Sequence, residues 1–296
     1  PMGSLLYLEC TSGISGDMCA AALLDAGASE QAVRRALDSL AVEGFTVEIG
    51  RVAKSGLDVC DFAVVLDAAH ENHDHDMAYL HGGEGEHGHT REHGHDHGHA
   101  HGHPHGHDHG HDHSRSHGHA VPHHHRGLAD IEAIIDGGAM TDGAKALAKR
   151  IFGLVADAEA RAHGLPREAV HFHEVGAVDS IADIVAIAVA VDDLAPDGVV
   201  VTELPCGRGT VRCQHGLIPV PAPATVFIAE ACGLPLTPVP VDGELVTPTG
   251  AAVVGALRTA SALPERFAVR RVGMGAGKRA YDTPGILRAM LIEPLA

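Results

Sequence analysis

The sequence is poor in basic residues and has neither a long apolar run nor a closely spaced cysteine pair. Lys and Arg number 21 against 39 Asp and Glu, and the formal charge of −18 argues against a nucleic-acid binder, which needs a basic face. The longest apolar run, Ile184–Val191, is much shorter than the roughly 18 residues of a membrane span. Residues 1–10 lack the order of a secretion signal. Six cysteines without a CxxC pair do not make a disulfide scaffold, so a cytoplasmic location is expected.

Histidine, by contrast, is abundant and concentrated in one segment. Of the 26 histidines, 22 lie between His70 and His125, where apolar residues are almost absent. Such a segment cannot bury enough surface to offset its chain entropy, so we predict a disordered insertion over residues 70–126. It separates an N-terminal part of the core, 1–69, from the remainder, 127–296. The 45% apolar composition is sufficient for such a core.

The histidine-rich segment is a candidate metal-binding region. Imidazole suits Ni²⁺, Zn²⁺, Cu²⁺ and Co²⁺, and His-x-His spacing lets neighbouring rings converge on one ion. Many equivalent histidines imply several exchanging sites, which fits metal loading better than catalysis. The alternative is a solvated low-complexity loop with adventitious metal uptake only. The candidate ligands are His93, His95, His97, His99, His101, His103, His105, His107, His109, His111 and His113.

Outside this segment, apolar periodicity predicts both strands and helices. A β-hairpin is predicted over residues 45–66, with its turn at 54–56. Helical spacing of apolar residues predicts helices over Asp142–His163 and Ile181–Leu194. Strands and helices alternate along the chain, which predicts an α/β fold with helices flanking a mixed sheet.

The segment HFHEVGAVDSIADI, residues 171–184, is a candidate metal or substrate site. His171 and His173 are two residues apart on a predicted strand and therefore share a face. Glu174 and Asp179 can join them if the chain turns at Gly176, and two imidazoles with a carboxylate form a plausible divalent-metal site. The alternative is structural, because Ser180 and Asp183 have the spacing of a capping box for the apolar helix that follows.

Two glycine-bearing segments are candidates for binding a phosphate. Gly13 and Gly16 lie between the first strand and the first helix, where backbone N–H groups can bind an anion. Arg208 and Arg212 belong to a second such segment, and arginine pairs well with phosphate. In the same segment His215 follows a cysteine by two residues and is a candidate ligand for a borderline metal.

Together these segments resemble one known family. ECTSGISGDM, the His-rich insertion, HFHEVGAVDSIADI, HGLIPVPAPAT and GELVTPTGAA are similar to the nickel insertion proteins of nickel-pincer cofactor synthesis, also called LarC. Members are pyridinium-3,5-bisthiocarboxylic acid mononucleotide nickel chelatases. The resemblance extends from about residue 5 to residue 293 and implies a cyclometallase-type lyase. Such an enzyme places Ni²⁺ in a dithiocarboxylate mononucleotide through one Ni–C and two Ni–S bonds.

The resemblance also implies cofactors and partners. In the family the reaction depends on CTP, which binds with a divalent metal to a C-terminal domain that a chain ending at Ala296 is expected to lack. The expected partners are that C-terminal half, the mononucleotide substrate, the upstream sulfur-inserting enzyme and the lactate racemase that receives the cofactor. Nucleic acid and membranes are not expected partners. A Ni–C bond displaces a ring proton, and His173 and Glu174 are the first candidates to accept it.

Two other functions remain open at this point. A nickel or zinc storage or delivery protein would bind metal in the histidine-rich segment alone. A metal-dependent hydrolase would arrange His171, His173 and Glu174 around one ion with an open position.

Overall fold

The computed structural model describes residues 3–67, 76–81, 126–172, 178–213 and 216–295. The strands are β1 (Leu5–Glu9), β2 (Phe45–Lys54), β3 (Leu57–Leu66), β4 (Arg126–Gly127), β5 (His171–Phe172), β6 (Gly198–Val200), β7 (Leu204–Arg208), β8 (Thr210–Cys213), β9 (Gly216–Pro219), β10 (Leu236–Asp242), β11 (Phe267–Ala276) and β12 (Ile286–Pro294). The helices are α1 (Gly16–Asp25), α2 (Glu30–Asp38), α3 (Met77–His81), α4 (Leu128–Gly137), α5 (Asp142–His163), α6 (Val178–Leu194), α7 (Pro223–Cys232) and α8 (Pro248–Leu257).

The main sheet has the strand order β2-β3-β11-β12-β1-β6. The first strand pairs antiparallel with β12 and parallel with β6, while β11 pairs parallel with β3 and antiparallel with β12. The predicted α/β fold with a mixed sheet and flanking helices is therefore confirmed. Three two-stranded ladders, β7–β10, β8–β9 and β4–β5, lie outside this sheet.

The predicted hairpin is formed by β2 and β3, which pair antiparallel along their whole length. Ser55 and Gly56 both have positive φ, 51° and 78°, as in the tight turns whose twist matches that of paired strands. Along β2 the half-buried residues Phe45, Val47 and Ile49 alternate with exposed residues and pack against the core. One face of this strand is therefore covered by the core and the other faces solvent.

The helix α1 lies directly on the sheet because β11 carries glycine where the helix passes. A Cβ on Gly273 would collide with the backbone carbonyl of Ala22, and one on Gly275 with that of Met18. Glycine thus allows a helix–strand approach that any larger residue would prevent. The helix α6, which is buried throughout Ile184–Val191, then packs against α1, α2 and α5, as expected of a helix that is apolar around most of its circumference.

Capping explains why α5 has the bounds that the sequence predicts. Thr141 Oγ1 accepts a hydrogen bond of 3.0 Å from the Ala144 backbone N–H, and the helix ends at Gly164, whose φ of 63° is left-handed. The prediction for α6 was wrong at its start, since the helix begins at Val178 instead of Ile181. Ser180 and Asp183 lie inside the helix and do not form the predicted capping box.

Most of the predicted insertion lies outside the described residues. Within its predicted bounds, Met77–His81 forms α3, in which Leu80 is buried, and Arg126 begins β4. The division of the chain into 1–69, 70–126 and 127–296 stays a prediction. None of the helices that the structure describes is long and apolar enough to cross a membrane.

Candidate functional site

A cavity of about 330 Å³ lies among the N-terminal ends of α1, α6 and α8, strands β3 and β8, and the connection between β11 and β12. This volume falls within the range of sites for small molecules. Apolar side chains of β3 and α3, including Phe62 and Leu80, form part of the wall. The charged residues of the wall are Asp17, Asp179, Asp183, Glu244, Arg212, Lys278 and Arg279.

Three helices begin at this cavity. Gly16 starts α1, Val178 starts α6, and Thr247 caps α8 by accepting a hydrogen bond of 3.0 Å from the Gly250 backbone N–H. Residues of all three first turns line the cavity. The first backbone N–H groups of a helix lack partners inside the helix and carry partial positive charge. The convergence of three such ends makes this cavity suitable for an anionic molecule.

Glycine permits the close packing of these helix ends. A Cβ on Gly16 would collide with the Asp183 carboxyl group, and a Cβ on Gly250 would collide with the backbone carbonyl of Ile14. The two glycines therefore bring α6 against the start of α1 and bring α8 against the loop before α1. This packing places the Asp183 carboxyl beside Asp17, which follows Gly16 in the chain.

Asp17, which is buried, and Asp183, which is half-buried, form an acidic pair in the wall. Asp17 is only 7% exposed; its Oδ1 accepts a hydrogen bond from the Ser15 hydroxyl. Asp17 Oδ2 and Asp183 Oδ1 are buried and have no hydrogen-bond partner among the described residues. Burial raises the pKa of Asp183 well above its ordinary value, the charges of Asp17 and Asp179 raise it further, and Lys278 opposes them.

Two of the three basic side chains of the wall, Lys278 and Arg279, lie on the connection after β11, and the third, Arg212, lies on β8. Lys278 pairs with Asp61, and Arg279 Nη1 lies 2.5 Å from Glu244 Oε2. Lys54 supports this connection, because its Nζ donates hydrogen bonds to the carbonyls of residues 277 and 279, at 2.7 and 3.2 Å. The hairpin β2–β3 thus supports the connection that carries Lys278 and Arg279.

Tyr281 connects the same region to α3. Its hydroxyl lies 3.3 Å from His81 Nε2, and the two rings meet edge to face with centroids 5.6 Å apart. Burial raises the pKa of Tyr281, so it remains a neutral phenol at physiological pH. His81 is the last described residue before the centre of the histidine-rich segment. That segment therefore departs from the described structure at a residue in contact with the cavity wall.

Three buried cysteines are not available as thiolates at neutral pH. Burial raises the pKa of Cys10 to about 12 and that of Cys60 to about 11, and it also raises the pKa of Cys19. Since metals bind thiolates, these residues contribute as small core side chains. Cys213, in contrast, is half-buried and lines the cavity.

Of the four residues predicted to bind phosphate, two lie in the cavity wall and two do not. Gly16 and Arg212 lie in the cavity wall, and the Arg212 guanidinium lies 6.0 Å from the centre of the Tyr79 ring. Gly13 is not part of the wall; its φ of 97° and its packing against the Leu245 carbonyl require glycine for structural reasons. Arg208 is exposed and also off the wall, with its Nε 2.8 Å from Asp242 Oδ1.

Most of the predicted metal ligands cannot be placed. The candidate ligands of the histidine-rich segment, from His93 to His113, lie outside the described residues, as do His173, Glu174 and His215. The backbone of residue 171 is described as part of β5, and its pairing with β4 follows the predicted extended conformation. Among the described residues, no three His, Cys, Asp or Glu side chains are grouped as a metal site.

Sequence reasoning missed the importance of Asp183 and of the two basic residues after β11. Asp183 was weighed as a site residue but the helix cap was favoured, although a carboxylate between the apolar residues Ala182 and Ile184 is itself a signal of a buried functional group. Lys278 and Arg279 follow three closely spaced glycines. That cluster indicated a turn but gave no reason to place it beside the first helix.

Comparison with known proteins gives a consistent result. A pyridinium-3,5-bisthiocarboxylic acid mononucleotide nickel insertion protein of Alkaliphilus metalliredigens is 45% identical over 295 residues, covering 99% of this chain and 61% of the relative. One of the same description from Geobacillus kaustophilus is 36% identical, covering 98% of this chain and 60% of the relative. A putative nickel insertion protein of Geobacter sp. strain M21 is 35% identical, with 97% and 61% covered.

The chain thus spans about three fifths of the length of the curated relatives it matches. No solved structure matches it. The family model described as nickel insertion protein matches residues 6–295, which include every element that lines the cavity. This protein therefore belongs to the nickel insertion protein family.

Proposed function

We propose that this chain inserts Ni²⁺ into pyridinium-3,5-bisthiocarboxylic acid mononucleotide, the compound named in its relatives, to give the nickel-pincer cofactor. The observation that carries the proposal is the cavity, in which three helix N-termini and basic side chains face a space of about 330 Å³. The substrate bears a phosphate and two thiocarboxylates, all anionic, on a flat aromatic ring. Its anionic groups match the helix ends, and its ring matches the apolar wall.

The substrate's phosphate is proposed to bind at the start of α1, beside Gly16, with Arg212 as a further donor. Gly16 offers a helix N-terminus without a side chain in the way, and Arg212, on β8, lines the same cavity. Arg208 is proposed to act indirectly, because its partner Asp242 lies on β10 and their ion pair connects β10 to β7. Arginine supplies several donors in a fixed geometry that matches phosphate oxygens.

Nickel is proposed to come from the histidine-rich segment. Two described contacts support this: His81 meets Tyr281 of the cavity wall, and β4 pairs with β5, whose last described residue lies just before α6. His81, the described residue that precedes residues 82–125, is thereby held at the cavity wall. Sulfur is a softer ligand than imidazole, so nickel passes favourably from histidines to the two thiocarboxylates.

The proton displaced by Ni–C bond formation needs an acceptor, and His173 and Glu174 remain our proposed ones. They are within five residues of Val178, which begins α6 at the cavity. The metal-ligand roles of His171, His173 and His215 are proposed on the same basis of proximity in sequence. The proposal also includes the use of CTP, which the C-terminal half would bind with a divalent metal. It further includes lyase chemistry, delivery of the cofactor to a racemase and a cytoplasmic location.

Reconstitution tests the proposed function. The chain is combined with Ni²⁺, the dithiocarboxylate mononucleotide, CTP and the C-terminal half of a family member, and activation of lactate racemase is measured. The proposal predicts activation that requires every component. Absence of activation with all components present would show that this chain is not an insertion enzyme.

The same assay separates insertion from storage. The double variant His171→Asn/His173→Asn should abolish activation while leaving most bound nickel in place, because the histidine-rich segment is unchanged. A matched control, His163→Asn, alters an imidazole on the exposed end of α5 and should activate as the wild type does. Full activation by the double variant would remove the core histidines from the mechanism and favour a delivery role.

A further inference from the structure

The acidic pair Asp17–Asp183 is not explained by the binding of an anionic substrate. An anion is attracted by helix N-termini and repelled by carboxylates, yet both carboxyls lie in the cavity wall. Asp17 Oδ2 and Asp183 Oδ1 are buried without a hydrogen-bond partner among the described residues. An unpaired buried carboxylate is costly, so the pair requires a compensating positive species.

The basic side chains nearest to the pair are already engaged. Lys278 forms an ion pair with Asp61 on β3, and Arg279 forms one with Glu244. Ser15 satisfies only one of the four carboxyl oxygens of the pair. The described side chains thus leave two buried oxygens without a hydrogen-bond partner, one on α1 and one on α6, in residues that line the cavity.

We propose that Asp17 and Asp183 together bind one partly hydrated divalent cation, whose remaining positions are taken by water and by the anionic groups of the substrate. This site adds a metal ion to the proposed function. Only the identity of the substrate that the cation would bind rests on that function. The cation would neutralise both carboxylates and turn an acidic wall into one that attracts phosphate or thiocarboxylate.

The ligand chemistry indicates which cations fit. Two carboxylates with open positions suit small octahedral ions such as Mg²⁺ and Mn²⁺, which retain several waters and are commonly bound by one or two carboxylates plus a substrate anion. This arrangement agrees with the lack of any three-ligand cluster among the described residues. Ni²⁺ binds oxygen ligands more tightly than Mn²⁺ does, so the same site also accepts nickel on its way to the substrate.

The test uses Mn²⁺ and the full chain at neutral pH, with no substrate or nucleotide. Imidazole has a lower affinity for Mn²⁺ than for any later metal of the first transition row, so the histidine-rich segment contributes little. Free Mn²⁺ is followed by electron paramagnetic resonance during titration. We expect one saturable site in the wild type, a loss of affinity of at least tenfold in Asp17→Asn and in Asp183→Asn, and displacement by Mg²⁺.

The control variant is Asp192→Asn, the same substitution near the other end of α6, where Asp192 Oδ2 accepts a 2.7 Å hydrogen bond from Thr141. It should bind Mn²⁺ as the wild type does. Thermal unfolding shows that each variant is folded, and Mn²⁺ should raise the midpoint of the wild type and of Asp192→Asn only.

Two results would overturn the site: a wild type without saturable Mn²⁺ binding, or wild-type affinity in both variants of the pair. Either would mean that a proton alone compensates the carboxyls. Displacement of Mn²⁺ by Ni²⁺ but not by Mg²⁺ would also contradict the oxygen-ligand site. The measurement contains no substrate, so its failure leaves the racemase-activation test intact. Conversely, a chain that binds Mn²⁺ here but never activates the racemase refutes the proposed function alone.

Discussion

Burial determines the protonation state of individual side chains in this protein. The thiols of Cys10 and Cys60 have pKa values raised to about 12 and about 11, so both are protonated at neutral pH. The same cause acts on Asp183, where burial favours the neutral carboxylic acid in the absence of a cation. In the proposed site, the carboxyl group of Asp183 is therefore protonated without a metal ion and loses its proton when the cation binds.

Asp183 should make the metal-free protein less stable as the pH rises. The carboxyl of an unfolded chain titrates near pH 3.9, and its native pKa is raised by burial and by Asp17 and Asp179 against the opposing charge of Lys278. Between these two pKa values the native state binds more protons than the unfolded state, so the free energy of unfolding falls with increasing pH. Each unit of elevation is worth about 1.4 kcal/mol.

The measurement is the denaturant-derived free energy of unfolding from pH 4 to pH 8 in the presence of a chelator. Asp183→Asn should gain stability relative to the wild type as the pH increases, whereas Asp192→Asn should follow the wild-type curve. Parallel curves for Asp183→Asn and the wild type would show that this carboxyl does not have a raised pKa.

Glycines at the contact between α1 and β11 determine how closely these two elements approach. Gly275→Ala would place a Cβ against the Met18 carbonyl, and backbone on both sides leaves little freedom to adjust. We expect destabilisation of about 1–3 kcal/mol, the usual cost of overpacking. The control is Gly50→Ala on β2, where a Cβ has no atom within 4 Å. Chemical denaturation measures the free energy of unfolding of both variants. Equal values for the two would contradict the packing argument.

Local sequence signals, such as apolar spacing and turn residues, predicted an element well where the whole signal is present in the sequence. The helical spacing of apolar residues predicted α5, whose bounds coincide with a threonine cap and a terminal glycine, and the turn at 54–56 predicted the hairpin. The start of α6 was misjudged because Ser180 and Asp183 have the spacing of a capping box, although both lie inside the helix. The ladders β7–β10 and β8–β9 are short, and their proline and glycine residues conceal the alternation of a strand.

At the scale of the whole molecule, the sequence predicted the fold class and the family but not the arrangement of the site. The cavity brings together residues from both ends of the chain, such as Asp17, Asp183 and Lys278, and no local spacing connects them. Sequence spacing also treated Arg208 and Arg212 as equivalent. In the structure only Arg212 lies in the wall of the cavity, whereas Arg208 is paired with Asp242.

The histidine-rich segment should hold metal without contributing to the stability of the core. Replacing residues 82–125, which lie between His81 and Arg126, with a short Gly/Ser linker should leave the melting temperature nearly unchanged, because the segment has almost no apolar residues. Bound nickel, measured by elemental analysis after dialysis, should fall by several ions per chain. A large drop in melting temperature would show that the segment is part of the fold.

The central claim, that the substrate binds in the cavity at the helix ends, is tested most directly by the affinity of the nickel-free mononucleotide. Titration calorimetry compares the wild type with Arg212→Gln and Arg208→Gln, which change arginines on two strands consecutive in sequence, only one of which lies in the wall. A hydrogen bond to a charged group is worth about 1.5–3 kcal/mol, so Arg212→Gln should weaken binding by about tenfold or more. Arg208→Gln should remain within about twofold of the wild type. Equal losses in the two variants, or a loss in Arg208→Gln alone, would place the substrate outside this cavity.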